Sequence, residues 1–320
     1  MKIILILTLI LSFLFSNAQQ SSVENNEDVS SFLSAYFSPF ANSIGAGLNN
    51  GWYNTAKPHK PAGFDVSLTI NLITISDEMK FFNPNDISNF GSSDNSTPTI
   101  LGDGMGASID YTSDDFSATF TMPEQNIALT SLPVPTLNAG IGLFKGTELN
   151  VRYIPTYAFD IGFIGEGSVE LYGGGIKHDI LQWIPVVNKL PFDLSVQGAL
   201  SKFKTSFEVE SRGVKQDVSL NINTNTYNLI LSKKFALITA YGSIGYNSVS
   251  TSFSSNTNFE LGSGNNTISF NIPVELDFEA QSVFQAAAGV RLQFAIFTVY
   301  ASQTFSDYPI TSAGFGVSFR

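Results

Sequence analysis

From Phe64 to Leu72 the chain reads Phe-Asp-Val-Ser-Leu-Thr-Ile-Asn-Leu. Phe64, Val66, Leu68, Ile70 and Leu72 share one side of an extended backbone, and Asp65, Ser67, Thr69 and Asn71 share the other. A strand of roughly 9–11 residues crosses a bilayer when it tilts within a barrel. Its apolar face can then meet lipid and its polar face a wet lumen. A soluble sandwich strand alternates in the same way, so the recurrence of the pattern decides. It returns at Ala107–Tyr111, Phe116–Met122, Leu137–Leu143, Leu149–Tyr153, Val169–Leu171, Phe192–Ser201, Val218–Asn223, Phe235–Ser250 and Phe284–Phe294. Two last copies span Ile296–Phe305 and Ile310–Phe319.

The connections alternate in length. Short links fall near Ser113–Asp115, Lys145–Gly146, Lys233–Lys234 and Ala295. Longer ones cover Ser76–Met105, Pro123–Thr136, Ala158–Gly167, Glu208–Asp217 and Thr251–Ala280. Transmembrane barrels sort their loops by end in this way, with an even strand number and both termini on the short-turn side. The sequence therefore predicts an all-β fold, an antiparallel transmembrane β-barrel of about 12 strands (12–14) over residues 63–320. His178–Lys189 is the one long link on the short side, and Trp183 is expected at the membrane boundary.

What precedes the first strand fits export. Lys2, the apolar run Ile3–Phe15 and the small residues of Ser16-Asn17-Ala18 make residues 1–18 a signal peptide. The run is too short for a spanning helix. Residues 19–62 are read as an N-terminal helix/plug segment, either lying on one end of the domain or tucked into a barrel mouth. Phe32, Leu33, Tyr36, Phe37, Phe40 and Ile44 recur at helical spacing, giving a short amphipathic helix bent near Pro39. The irregular stretch Asn49–Gly63 carries Trp52, Tyr53 and His59, costly residues for a mere linker.

Composition narrows the function. Charged residues make up 13% of the chain, against about 25% in ordinary soluble domains. The net charge of −11 repels phosphate backbones, so no nucleic-acid partner is expected. The absence of cysteine removes disulfides, thiolate catalysis and zinc–thiolate sites. No cofactor is expected. His178 beside Asp179 lacks a Gly-x-Ser-x-Gly elbow, so no catalytic residue is assigned and no enzyme is expected. His59 is far from His178 and lacks a His-x-x-x-His companion, so no metal site is assigned either. Gly173-Gly174-Gly175 lacks the Lys-Ser/Thr of a phosphate loop and reads as a close approach, with the Trp52–Tyr53 segment as its neighbour.

Parity puts Asp65, Asp110, Glu148, Arg152, Glu170, Asp193 and Arg291 on polar faces, where carboxylates would pair Arg152 and Arg291 and hold the plug. The candidate residues for a ligand path or plug contact are Trp52, Tyr53, His59, Asp65, Arg152, Glu170, Asp193 and Arg291.

The block Gly47-Leu48-Asn49-Asn50-Gly51-Trp52-Tyr53-Asn54-Thr55-Ala56-Lys57-Pro58-His59-Lys60 and the strand Leu149-Asn150-Val151-Arg152-Tyr153-Ile154-Pro155 resemble an uncharacterised family of outer-membrane proteins. So does Gly175–Asp179, with its Gln182-Trp183-Ile184-Pro185. An N-terminal helix and plug before a barrel is also loosely similar to the FadL channels for fatty acids and aromatic hydrocarbons. The resemblance implies the cell outer membrane as location, with its lipid and the barrel-assembly machinery as partners. The terminal Gly314–Phe319 alternation resembles the assembly signal of such barrels. The function expected is a passive channel for a small, hydrophobic solute. The alternative is a non-transporting scaffold or surface-interaction protein whose long loops bind.

Overall fold

A computed structural model describes residues 25–319 apart from 114–116, 123, 127–128, 162–164, 185–190, 212–213 and 262–267. The signal-peptide reading of residues 1–18 lies outside the described residues. Ten strands form one closed antiparallel barrel. They are β1 (Phe64–Thr74), β2 (Ser131–Gly142), β3 (Thr147–Ile161), β4 (Gly165–Asp179) and β5 (Asp193–Ser211). The rest are β6 (Val214–Phe235), β7 (Ile238–Leu261), β8 (Ile268–Phe294), β9 (Phe297–Phe305) and β10 (Ile310–Phe319). Each strand pairs with its sequence neighbours, and β1 closes the ring on β10 with Phe64 opposite Phe319. Closure leaves no sheet edge unpaired, as lipid requires.

Across the membrane band the apolar positions face outward and the polar ones inward. Phe64 (42% exposed), Val196 (43%) and Leu292 (51%) lie on the outside, not in a shared core. Ser67, Thr69, Asn71, Asn138, Asn150, Ser195 and Gln197 are buried inside. This is a transmembrane β-barrel, greasy outside and polar within.

The barrel has ten strands rather than about twelve. Ser108–Thr112 and Ser117–Thr121 alternate like barrel strands, but they pair with each other outside it. They belong to an insert between β1 and β2, about residues 75–130, lying over one end of the barrel. A hairpin with one face on a lid and one in water has the same period of two as a membrane strand. The three other long links are largely strand as well. β3 reaches Ile161, β5 reaches Ser211 and β7 reaches Leu261, so their hairpins extend well past the length a bilayer needs. Their Ser-, Thr- and Asn-rich sequence continues the ladder into water instead of looping.

One α-helix, α1 (Asn25–Asn49), fills the long-hairpin half of the interior. It runs for 25 residues with Pro39 inside it. Proline removes one helical hydrogen bond. Here apolar contacts on both sides of it, through Leu33 and Tyr36 before and Ala41 and Ile44 after, hold the helix together. The wall meets it with Ile73, Val134, Leu171, Ile222, Val249 and Phe253. Inward parity is therefore polar toward the short-turn end and apolar toward the other. The wet lumen expected from parity is instead packed with chain.

The first turns of α1 hold the insert. Phe32 stacks on Phe90 (4.5 Å between centroids) and meets Phe82 and Phe120 edge-on. Asn89 donates to the Asp28 carboxylate at 2.7 Å. Burial pushes the Tyr111 phenol above its usual pKa, and the Asp28 charge acts in the same direction, so it stays neutral through the physiological range.

From Asn25, the described N-terminal part therefore passes from the long-hairpin end down the interior and leaves at the short-turn end, where Gly142 donates to Gly63 O at 2.8 Å. The expectation that both termini share the short-turn side concerns residues 1–24 as well, which lie outside the described residues; Phe319 lies at that side, and Asp28 lies under the insert. At the same short-turn end Trp183 is 62% exposed and donates to His178 Nε2 at 2.8 Å, consistent with a boundary position.

Candidate functional site: the seam between plug and wall

A helix ends with carbonyls that have no intrahelical partner and with the negative end of its dipole. α1 ends in mid-barrel, where water is scarce. The wall supplies the missing donors. Arg152, 1% exposed, donates from Nε to Asn138 Oδ1 (2.7 Å), from Nη2 to Asn50 O (2.8 Å) and from Nη1 to Leu48 O. Asn71 Nδ2 donates to Gly47 O at 3.0 Å. Gly51, with φ +75°, then turns the chain out of the helix, and the neighbouring Thr69 and Asn71 leave little room for a side chain there. The guanidinium also lies over the Trp52 ring, 4.0 Å from its centroid. The expected carboxylate partner of Arg152 is thus replaced by backbone carbonyls. Residue type alone gives no sign of such carbonyls, because every residue has one.

Below the cap, residues 51–57 form no regular secondary structure, and their backbone bonds to the wall. Asn138 donates to Gly51 O, Gln197 to Trp52 O (3.2 Å) and Ser195 to Ala56 O (2.6 Å). Ala56 N–H donates to Ser232 Oγ at 3.0 Å. Tyr53 shares a hydrogen bond with Ser243. Gly173 lies against the Trp52 ring, the close approach that its glycine run suggested.

At the short-turn end a charged cluster closes the seam. His59 Nδ1 is 2.7 Å from Glu148 Oε2, its backbone N–H donates to the same oxygen at 2.8 Å, and its Nε2 is 3.1 Å from Ser318 Oγ. Lys177 Nζ holds the other Glu148 oxygen at 2.9 Å. Asp65 Oδ1 lies 3.6 Å from His59 Nδ1. Gly142 and Gly140 make room: a Cβ on the first would meet the Lys60 carbonyl, and one on the second the Asp65 carboxylate. Farther out, Lys57 Nζ approaches Asp193 at 3.8 Å.

Ser318, His59 and Glu148 repeat the contact order of a hydrolase triad. All three are buried beneath the chain that leads into β1, which suits a latch and leaves no visible approach for a substrate. His178 instead contacts Thr147 and Trp183.

The structure therefore gathers Trp52, Tyr53, His59, Asp65, Arg152 and Asp193 along one seam. Arg291, also buried, faces the interior from β8. Glu170 does not belong. Its neighbour Leu171 is in the interior cluster, so Glu170 points outward, in register with Lys204. At that level the apolar face of the strand receives α1 instead of lipid, which inverts the meaning of parity. Asp110 is likewise outside, on the insert. Lys177, Asn138, Ser195 and Gln197 belong to the seam without being candidates by sequence. Their signal was polar character at inward parity on strands already recognised.

A small pocket of about 10 Å3, room for about one water, remains beside α1, lined by residues including Asn42, Asn49, Asn247, Gln285 and Tyr308.

Over residues 1–319 the chain matches a family described as "Family of unknown function (DUF6588)". No curated protein matches. Among solved structures, it is similar to the translocator domain of autotransporter NalP from Neisseria meningitidis. That match has TM-score 0.34 and 10% identity, covering 91% of this chain and 98% of that one. It is also similar to Ail of Yersinia pestis, in complex with a heparin analogue, at TM-score 0.28 and 11% identity over 81% and 98% of the two chains. A Pseudomonas aeruginosa FadL homologue scores 0.23 at 10% identity over 84% and 94%. Likenesses this distant say nothing about activity.

Proposed function

We propose that this chain, which belongs to the DUF6588 family of unknown function, is an outer-membrane barrel closed at rest, whose long-hairpin end is its working surface. The observation behind this reading is the filled interior. α1 packs the apolar half, and residues 51–63 are hydrogen-bonded to the wall through the polar half. Such an arrangement suits a surface-interaction scaffold better than an open pore. The apolar belt supports membrane placement, and the usual sorting of short turns to the periplasm points the insert outward.

The insert has a one-sided charge. Asp77, Glu78, Asp86, Asp94, Asp103, Asp110 and Glu124 are all exposed, against the single cation Lys80, which already pairs with Asp77 at 3.0 Å. A cationic partner fits this surface best. We assign no catalytic role.

The second reading is a passive channel. It is favoured by the Ser-, Thr- and Asn-rich inner wall, which would face water if residues 50–62 withdrew. That lining would suit a polar solute more than a hydrophobic one.

The full chain, folded in planar bilayers, is expected to show no stepwise conductance. Stable single-channel currents from the intact protein would overturn the closed-barrel reading and favour the channel.

A further inference from the structure

We propose that His59, Asp65 and Glu148 form a binding site for a divalent transition metal of the zinc type, which clamps the plug segment to the barrel wall. His59 Nδ1 and one oxygen from each carboxylate all lie within 4.8 Å of one another. One imidazole with two carboxylates is a donor set suited to such ions, leaving a fourth position for water.

The surroundings match what a metal site needs beyond its ligands. A ligating imidazole is oriented by a hydrogen bond from its other nitrogen. Ser318 Oγ, 3.1 Å from His59 Nε2, is placed to accept that bond. Without metal, the Nδ1 proton serves Glu148. With metal on Nδ1, the ring N–H sits at Nε2 and donates to Ser318 Oγ. Glu148 can serve both a cation and the protein: Lys177 and Asn150 hold Oε1, the His59 N–H takes one acceptor site of Oε2, and the other faces the ring. Asp65 is the member with spare capacity. Its only ion pair among the described residues is the 3.6 Å approach to His59, and its side chain is 19% exposed, so it is the ligand in contact with solvent. The 2.7 Å separation between His59 Nδ1 and Glu148 Oε2 has to open to about 3.3 Å for both atoms to bind a tetrahedral ion. Glycines at 140 and 142 keep side chains out of the cluster.

The consequence is mechanical. The three ligands come from the plug segment, from β1 and from β3, so one ion ties the plug exit to two places on the wall. This inference concerns the latch and does not depend on what the long-hairpin end binds.

The test uses untagged, folded, chelator-stripped protein in detergent, titrated with Zn2+ and with Co2+ as a spectroscopic probe. One ion per chain is expected, with visible Co2+ bands of a tetrahedral site. Asp65→Asn, at a partly exposed side chain, should keep the fold and weaken binding about ten-fold or more, and Ser318→Ala about ten-fold. Failure of the folded wild type to take up either ion, or unchanged binding in Asp65→Asn, would overturn the proposal. A closed bilayer trace with no metal uptake would defeat the clamp and leave the closed barrel standing.

Discussion

A chain lacking residues 25–62 is expected to fold as a barrel and to conduct ions in a planar bilayer, where the intact protein is silent. The ten strands close on one another without help from the plug, since every barrel strand finds its partners among the other nine. What the plug occupies is the interior. An eight-stranded barrel is narrow enough to be filled by its own side chains. This one has ten strands and lines its inner half mostly with Ser, Thr and Asn, small groups that leave space once the plug is gone. The apolar half would lose the face of α1 that it packs against, so some loss of thermal stability should accompany the gain in current. Heat-modifiable gel migration reports folding separately. A folded, truncated barrel as silent as the intact chain would show that the plug is not what closes it.

Arg152→Ala is the single substitution with the largest expected cost. It removes the donors to Leu48 O, Asn50 O and Asn138 Oδ1 and the cation over Trp52. Buried acceptors left unpaired cost about 1–3 kcal/mol each, and loss of a buried charged partner typically costs about 3–5 kcal/mol in all. The loss falls on the seat of the plug more than on the barrel, because two of the three acceptors belong to the plug. The variant should show faster proteolysis within residues 50–62 and bursts of conductance, while its barrel still resists heat. Arg152→Lys keeps the charge but not the fork, so it should fall between wild type and alanine. Glu170→Gln, on the outer face, should stay within about 0.5 kcal/mol of wild type. Equal behaviour of Arg152→Ala and Glu170→Gln would refute the capping role.

The two cases show what the alternation could convey. It recovered the barrel because lipid imposes one rule on every strand across the membrane band: apolar outward, polar inward. It failed where the environment departs from that rule. Ser108–Thr112 and Ser117–Thr121 have two unlike faces because they lie on a lid, so counting them overstated the barrel. Glu170 was placed inside because parity was carried past the level where α1 replaces water as the interior neighbour. The plug residues Trp52, Tyr53 and His59 were legible because large polar aromatics rarely occupy a linker. Their partners were not. His59 meets Glu148 across 89 residues and Ser318 across 259, a contact made only when β1 closes on β10.

The N-terminal segment threads the barrel from its long-hairpin end to its short-turn end. The chain has no cysteine, so single cysteines can report each end directly. Ser31→Cys and Lys60→Cys both fall at exposed positions, one on the first turns of α1 and one just before β1. On intact cells a membrane-impermeant maleimide should label the cysteine at position 31 at once, and the one at 60 only after the outer membrane is permeabilised. Labelling of both positions from the same side would contradict the threaded plug.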